Sequence, residues 1–399
     1  MNDRERSLTR DSGTYFPMAV KRILWDTSGA FGDIGLLIPI SIALIVKNGF
    51  NPTALFLTAG LFYVLSARYF RITMPVQPLK AMSAVAIATG LGTEVINTAG
   101  ITLGCILIVL ALTGWSEKLG RIFPVPVVRG IQFGLGLMLA RASLSLMSID
   151  LVTALLAGAI LIAHIAFMKK MPPLLIILLL GAVISLREIE LTALGPMALE
   201  PALPDIGLLW ISFTMLVVPQ ISLTMGNAVV ATEATAKMLY KERAERVNLR
   251  SVPLSIGIAN IASGLVGGVP MCHGSGGLTA HHKFGATSER SGYIIGMTLI
   301  VLALFFGTAS LSVISAFPSG ILGALLCYVG IQHAMLIKDI QKDQPAVLLA
   351  LTVGVAGFLT HNLTVGFLIG LLIHYGSNIF RDSVAPFLSS KSRRTQYEG

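Results

Sequence analysis

Charge is scarce in this chain. Of 399 residues only 12% are charged while 54% are hydrophobic, and the mean hydropathy is +0.79. That composition excludes an ordinary soluble domain. Cysteine is scarce as well: Cys105, Cys272 and Cys327 lie inside or beside apolar stretches with no metal-type spacing among them, so neither a disulfide scaffold nor a zinc site is expected. Acidic residues, 20 against 29 Lys and Arg, leave a net charge of +9, yet the basic residues form no single patch. They punctuate the ends of apolar stretches, which removes nucleic acid from the expected partners. The N-terminal MNDRERSLTRDSGTYF lacks an apolar stretch ending in a small-residue cleavage site. It is therefore expected to remain cytoplasmic rather than to act as a secretory signal.

What the chain has in quantity is hydrophobic length. A bilayer core asks for about 20 apolar residues per helix. Spans read at about 30–48, 51–69, 72–91, 95–114, 124–147, 150–167, 172–186, 208–236, 252–268, 270–285, 291–311, 317–335, 345–359 and 362–380. With the termini inside, Arg68, Arg71, Lys118, Arg121, Lys169, Lys170, Lys237, Lys241, Arg243, Arg246, Arg250, Lys283, Arg290, Lys338 and Lys342 all fall on the cytoplasmic side, and only Lys47 and Arg187 outside. The expected fold is an all-α polytopic membrane protein in the lipid bilayer, its 14 transmembrane segments forming two inverted seven-segment repeats. The expected organisation is a cytoplasmic segment 1–27, a transporter domain 28–380 with repeats at about 28–187 and 207–380, and a cytoplasmic tail 381–399.

The halves share landmarks. Phe123-Pro124 and Phe317-Pro318 are separated by 194 positions (317 − 123), as are Gly32-Asp33 and Gly226-Asn227. Two polar interruptions, RITMPVQPLK at 71–80 and GGVPMCHGSGG at 267–277, place their first prolines at nearly the same offset. Matched breaks in corresponding hydrophobic segments point to a transporter's midplane site. If the repeats are inverted, each break supplies an extended stretch followed by a half-helix, and the two half-helix N-termini meet near the midplane. Unpaired backbone N–H groups and the helix dipole then form an anion site.

The candidate binding residues follow from that geometry. In the first break Pro75 and Pro78 favour extended chain, Gln77 offers an amide, and Lys80 offers charge within the membrane. In the second, Cys272, His273, Gly274, Ser275, Gly276 and Gly277 supply backbone that approaches a ligand closely, with His273 as an oxyanion donor or proton carrier. His281 and His282 read as cytoplasmic and solvated. Gln220, Thr224 and Asn227 are spaced to share one helix face and complete the cavity. Asp33 and Glu233 are the acids available for coupling or charge pairing, Asp33 either opposite Lys80 or as a helix cap. No cofactor is called for.

PVQPLK at 75–80, VPQISLTMGNAVVA at 218–231 and GVPMCHGSGGL…FGA from 268 to 286 resemble the signature motifs of the molybdate transporter family, which is related to the sulfate permeases. The resemblance spans about residues 28–380. It implies the inverted seven-plus-seven fold shared with uracil permease, a core domain that carries substrate past a gate domain, and a homodimer. Gly276 and Gly277 stand where sulfate permeases carry serine and arginine.

The function expected is secondary active uptake of molybdate or sulfate across the cytoplasmic (inner) membrane, coupled to protons or sodium. Bicarbonate or a nucleobase on the same fold is the alternative, although Lys80 disfavours a neutral ligand. An intramembrane hydrolase with Ser275 as nucleophile and His273 as base is a distant third, and the chain is not expected to be an enzyme.

Overall fold

The computed structural model describes residues 18–167, 173–185 and 194–376. Residues 1–17, Lys169, Lys170, Arg187 and the tail 381–399 lie outside them. Apolar helices occupy the stretches read as spans: α1 (Met18–Ala30), α2 (Ile34–Asn48), α3 (Pro52–Phe70), α4 (Lys80–Thr89), α5 (Thr93–Thr113), α6 (Trp115–Ile122), α7 (Val125–Met147), α8 (Leu151–Phe167) and α9 (Pro173–Ser185) make up the first part. The second contains the helical run α10 (Ile206–Ala244), α11 (Ser251–Leu265), α12 (Ser275–Lys283), α13 (Arg290–Ser315), α14 (Ser319–Ala334), α15 (Gln344–Leu359) and α16 (Leu363–Gly376). Among the described residues, seven helical runs are long and apolar enough to cross a membrane.

Helix starts follow their local chemistry. Asn51 accepts from the Ala54 N–H at 3.2 Å with Pro52 in the first turn, and Asp343 accepts from Ala346 N–H at 3.1 Å ahead of Pro345. Two features depart from the expected boundaries. The first helical run begins before residue 28, since α1 starts at Met18 and an apolar run continues from Arg22 to Asn48. A short helix, α6, also stands between the fourth and fifth expected spans, where the sequence reading placed a loop.

Glycines set how closely the helices approach, as expected where lipid removes the hydrophobic drive for helix association. A Cβ on Gly60 would sit 2.6 Å from the Gly296 carbonyl oxygen, and one on Gly104 would sit 2.8 Å from that of Gly257. The first contact joins α3 to α13 and the second joins α5 to α11, which are counterparts when the halves are exchanged. Gly136 of α7 faces Gly330 of α14 in the same way, at 2.6 Å. Large apolar side chains such as Val152, Ile162, Phe305, Leu348 and Leu372 point outward. That inside-out distribution suits a lipid surround.

At the centre lies a two-stranded antiparallel ladder that no helical reading anticipated, β1 (Gln77–Pro78) against β2 (Met271–Cys272). Gln77 pairs with Cys272 and Pro78 with Met271. Shifting 77 and 78 by the 194-residue offset gives 271 and 272, so exchange of the halves turns one pair into the other. The 194-residue offset seen in the sequence thus also relates the two pairs of the ladder.

Candidate functional site

An extended segment inside a membrane must find partners for its backbone. Here polar side chains from the helices that precede each break supply them. Tyr63 O–H donates to the Val76 carbonyl at 3.1 Å, Asn260 accepts from Met271 N–H at 2.7 Å, and Ser263 donates to the Val269 carbonyl at 2.9 Å. Leu79 N–H donates to the Pro270 carbonyl at 3.0 Å, tying the breaks to each other. Asn48 closes the far end of α4 by donating to the Ala86 and Leu91 carbonyls at 2.9 and 2.8 Å. None of these residues stood out in the sequence. Their only signal was a polar side chain inside an apolar span.

His273 belongs to this supporting set and not to the ligand-facing one. Its Nδ1 lies 2.9 Å from the Pro75 carbonyl and its Nε2 3.1 Å from Ser255 Oγ. A carbonyl only accepts, so Nδ1 carries the proton and Nε2 accepts from the serine. Phe62 and Phe70 pack on the ring at 4.7 and 5.5 Å between centroids. With both nitrogens committed, the expected oxyanion-donor role is withdrawn. The hydrolase reading goes with it, because Ser275 Oγ donates at 3.0 Å to Asn227 Oδ1 and has no hydrogen bond to His273. His281 is also corrected: it is fully buried, 2.8 Å from Thr73 Oγ1 and stacked on Tyr63, because α12 packs its polar face against the first break. Cys272 is buried on β2.

A helix starts directly after each break. In α4 the first three N–H groups have no intrahelical acceptor. That of Met82 is taken by Gln220 Oε1 at 3.0 Å, whereas those of Lys80 and Ala81 have no partner among the described residues. In α12 the N–H groups of Ser275, Gly276 and Gly277 are likewise without partners among the described residues. Lys80, half-buried at the first position of α4, makes no ion pair or hydrogen bond among the described residues. Five backbone N–H groups and one ammonium at the two helix starts are thus without a protein partner among the described residues.

The helix α10 clasps both termini. It changes to π-helical winding at Phe213–Val217 and again at Thr224–Val230, a distortion that clusters at functional sites. Gln220, between the two π turns, holds α4 and donates through Nε2 to Thr224 Oγ1 at 3.0 Å. Asn227, within the second, reaches α12 through Ser275. The expected single polar face is thus divided between two neighbours.

Asp33 neither caps α2 nor meets Lys80 within ion-pairing distance, as the sequence had suggested; it accepts a hydrogen bond from Gln77 Nε2 instead. Gln77 Oε1 is buried and has no partner among the described residues. Glu233, the other expected coupling acid, pairs with Lys237 one turn along α10 and does not join the cluster.

Comparison with known proteins places this arrangement in a family. The model described as "Molybdate transporter of MFS superfamily" matches residues 26–139 and 212–332. Molybdate transporter 2 of Arabidopsis thaliana is 28% identical over 389 residues, covering 83% of this chain and 82% of that protein. Molybdate transporter 1 of Chlamydomonas reinhardtii is 24% identical over 480 residues, covering 88% and 91%. Among solved structures, the transmembrane domain of the cyanobacterial bicarbonate transporter BicA superposes with a TM-score of 0.64 at 19% identity, over 87% of this chain and 97% of that one. Murine Slc26a9, an anion transporter in an inward-facing state, gives 0.63 at 15%, over 93% and 73%. These two likenesses establish the fold. Because the matched residues run through both breaks and most of the helix that clasps them, the chain belongs to the molybdate transporter family, a multi-pass membrane transporter and not an enzyme.

Proposed function

We propose that this protein is a secondary active transporter that takes up molybdate, with sulfate as the second substrate, across the cytoplasmic membrane. The observation that carries the reading is the pair of half-helix N-termini, with five unpartnered N–H groups and the unpaired Lys80 directed at one region. A tetrahedral dianion offers acceptors in several directions and a charge that Lys80 and both helix dipoles stabilise. The neutral alternative, a nucleobase, brings no charge for the Lys80 ammonium to meet.

In this reading the 14 segments form two inverted repeats with both termini cytoplasmic, and the core containing α4, α10 and α12 moves against the gate containing α7 and α14. A homodimer in the bilayer is part of the proposal. So is coupling to protons or sodium through Asp33, the acid that remains at the site once Glu233 is assigned to Lys237.

Calorimetry on the purified protein tests the reading. Wild type is expected to bind molybdate, and Lys80→Ala to weaken it by about tenfold to a hundredfold, the scale of a hydrogen bond to a charged group. Unchanged affinity in the variant refutes the role of Lys80. Absence of binding by either oxyanion, with bicarbonate bound instead, refutes the substrate.

A further inference from the structure

His281, in the last turn of α12, carries a polar atom that packing does not explain. Its Nδ1 lies 2.8 Å from Oγ1 of Thr73, itself buried, while Nε2 is buried with no partner among the described residues. A buried polar atom left unsatisfied in a native fold asks for a reason. Holding Thr73 needs one nitrogen, which the amide of an asparagine also supplies, so the second ring nitrogen is not accounted for by that contact.

An independent set of contacts places the buried acid of the site beside this histidine. A Cβ on Gly277 would lie 2.6 Å from Asp33 Oδ2, and one on Gly32 would lie 3.0 Å from the Ala280 carbonyl oxygen. Gly32 and Asp33 therefore run along the turn of α12 between residues 277 and 281, a rise of about 6 Å. Positions 277 and 281 share a helix face. The first break lies on that face as well: Gln77 Nε2 and Pro75 Cβ would be 2.4 and 2.7 Å from a Cβ at 277, and Thr73 meets His281. Asp33 and Gln77 thus stand at one end of a buried contact and Thr73 and His281 at the other.

The other titratable groups around His281 are committed elsewhere. Tyr63 of α3 stacks on its ring and gives its O–H to Val76, Asp26 of α1 accepts from Thr287 and Ser288, and Tyr240 of α10 donates to Ala286 and packs against His282. Lys283 follows on α12 itself. Building on the coupling reading above, we propose that the coupling ion is the proton and that His281 relays it between Asp33 and the side of the membrane where α12 ends. Protonated Asp33 passes its proton over one bridging water to Nε2. The imidazolium gives the proton on Nδ1 to Thr73 Oγ1 as that hydroxyl releases its own, which leaves a carboxylate, a neutral ring, an intact threonine and one proton moved. Sodium coupling needs no titrating nitrogen.

The test uses the full-length protein reconstituted in vesicles, with molybdate uptake measured with and without an inward proton gradient, and calorimetry on the purified protein. His281→Asn keeps an amide at the Nδ1 position for Thr73 and has no atom at Nε2, whereas His281→Gln places near Nε2 an amide that does not titrate. Both variants are expected to bind molybdate as wild type does and to lose the stimulation by the gradient. Stimulation retained in either variant overturns the relay, and so does loss of molybdate binding in both, which assigns His281 a structural role. Wild-type uptake that ignores the proton gradient overturns the relay and leaves the anion reading standing. Failure of wild type to bind molybdate overturns that reading and the relay with it.

Discussion

The first half-helix begins with a lysine, has its third amide held by Gln220 and its far end closed by Asn48, whereas the second begins Ser275-Gly276-Gly277 and carries no charge in its first turn. Their backbones are related by two-fold exchange, as the ladder pairs Gln77 with Cys272 and Pro78 with Met271. Their side chains are not. A lysine opens one helix and Ser275, Gly276 and Gly277 open the other, so that on the proposed reading the first terminus contributes charge and the second close backbone.

The most damaging change to this division is expected at Gly277. Its added methyl meets Gln77 Nε2 and Asp33 Oδ2 at once, and moving either one disturbs their mutual hydrogen bond. Overpacking of this kind costs about 1–3 kcal/mol. Gly277→Ala should therefore lower the unfolding temperature and weaken molybdate binding tenfold or more, in contrast to Gly276→Ala, where the added methyl meets nothing within 4 Å. Equal behaviour of the two alanine variants would show that the difference between the glycines has no energetic meaning.

Much of this asymmetry was legible before any fold was known, because it resides in residue types: Lys80 in one break, a glycine run in the other, and the 194-residue offset that pairs them. What stayed hidden has a common physical cause. Tyr63, Asn260 and Ser263 satisfy the backbone of the breaks, but which polar side chain in an apolar span meets which backbone N–H or carbonyl depends on helix packing. His273 looked ligand-like because polarity in a glycine-rich break is read as function. Its two hydrogen bonds go to Pro75, in the other break, and to Ser255, on the helix that precedes its own break, and neither pairing is visible in the sequence. The spacing of Gln220, Thr224 and Asn227 presupposed 3.6 residues per turn, and the π turn beginning at Thr224 breaks that assumption.

Gln220 gives the next test of the comparison, with a smaller effect. It acts as a side-chain cap on the Met82 amide, and losing such a cap costs about 1 kcal/mol. Gln220→Ala should weaken molybdate and sulfate by a similar few-fold factor, since it loosens the geometry of the charged terminus without altering the other. A calorimetric loss as large as that of Gly277→Ala would give the two termini equal weight and break the division between charge and close backbone.

The smallest effect is expected at Glu233, and its smallness is informative. Each half brings an acid near its first helix turn or middle, yet Asp33 is buried against Gln77 while Glu233 pairs with Lys237, whose side chain is 56% exposed. An i,i+4 pair of this kind contributes about 0.3–0.5 kcal/mol. Glu233→Gln should leave stability, molybdate affinity and the response of uptake to a proton gradient within error of wild type. Asp33→Asn removes the buried carboxylate and should abolish that response in reconstituted vesicles. If the two substitutions affected gradient-driven uptake alike, the acid in the second half would share the coupling, and the functional asymmetry would be confined to the two helix termini.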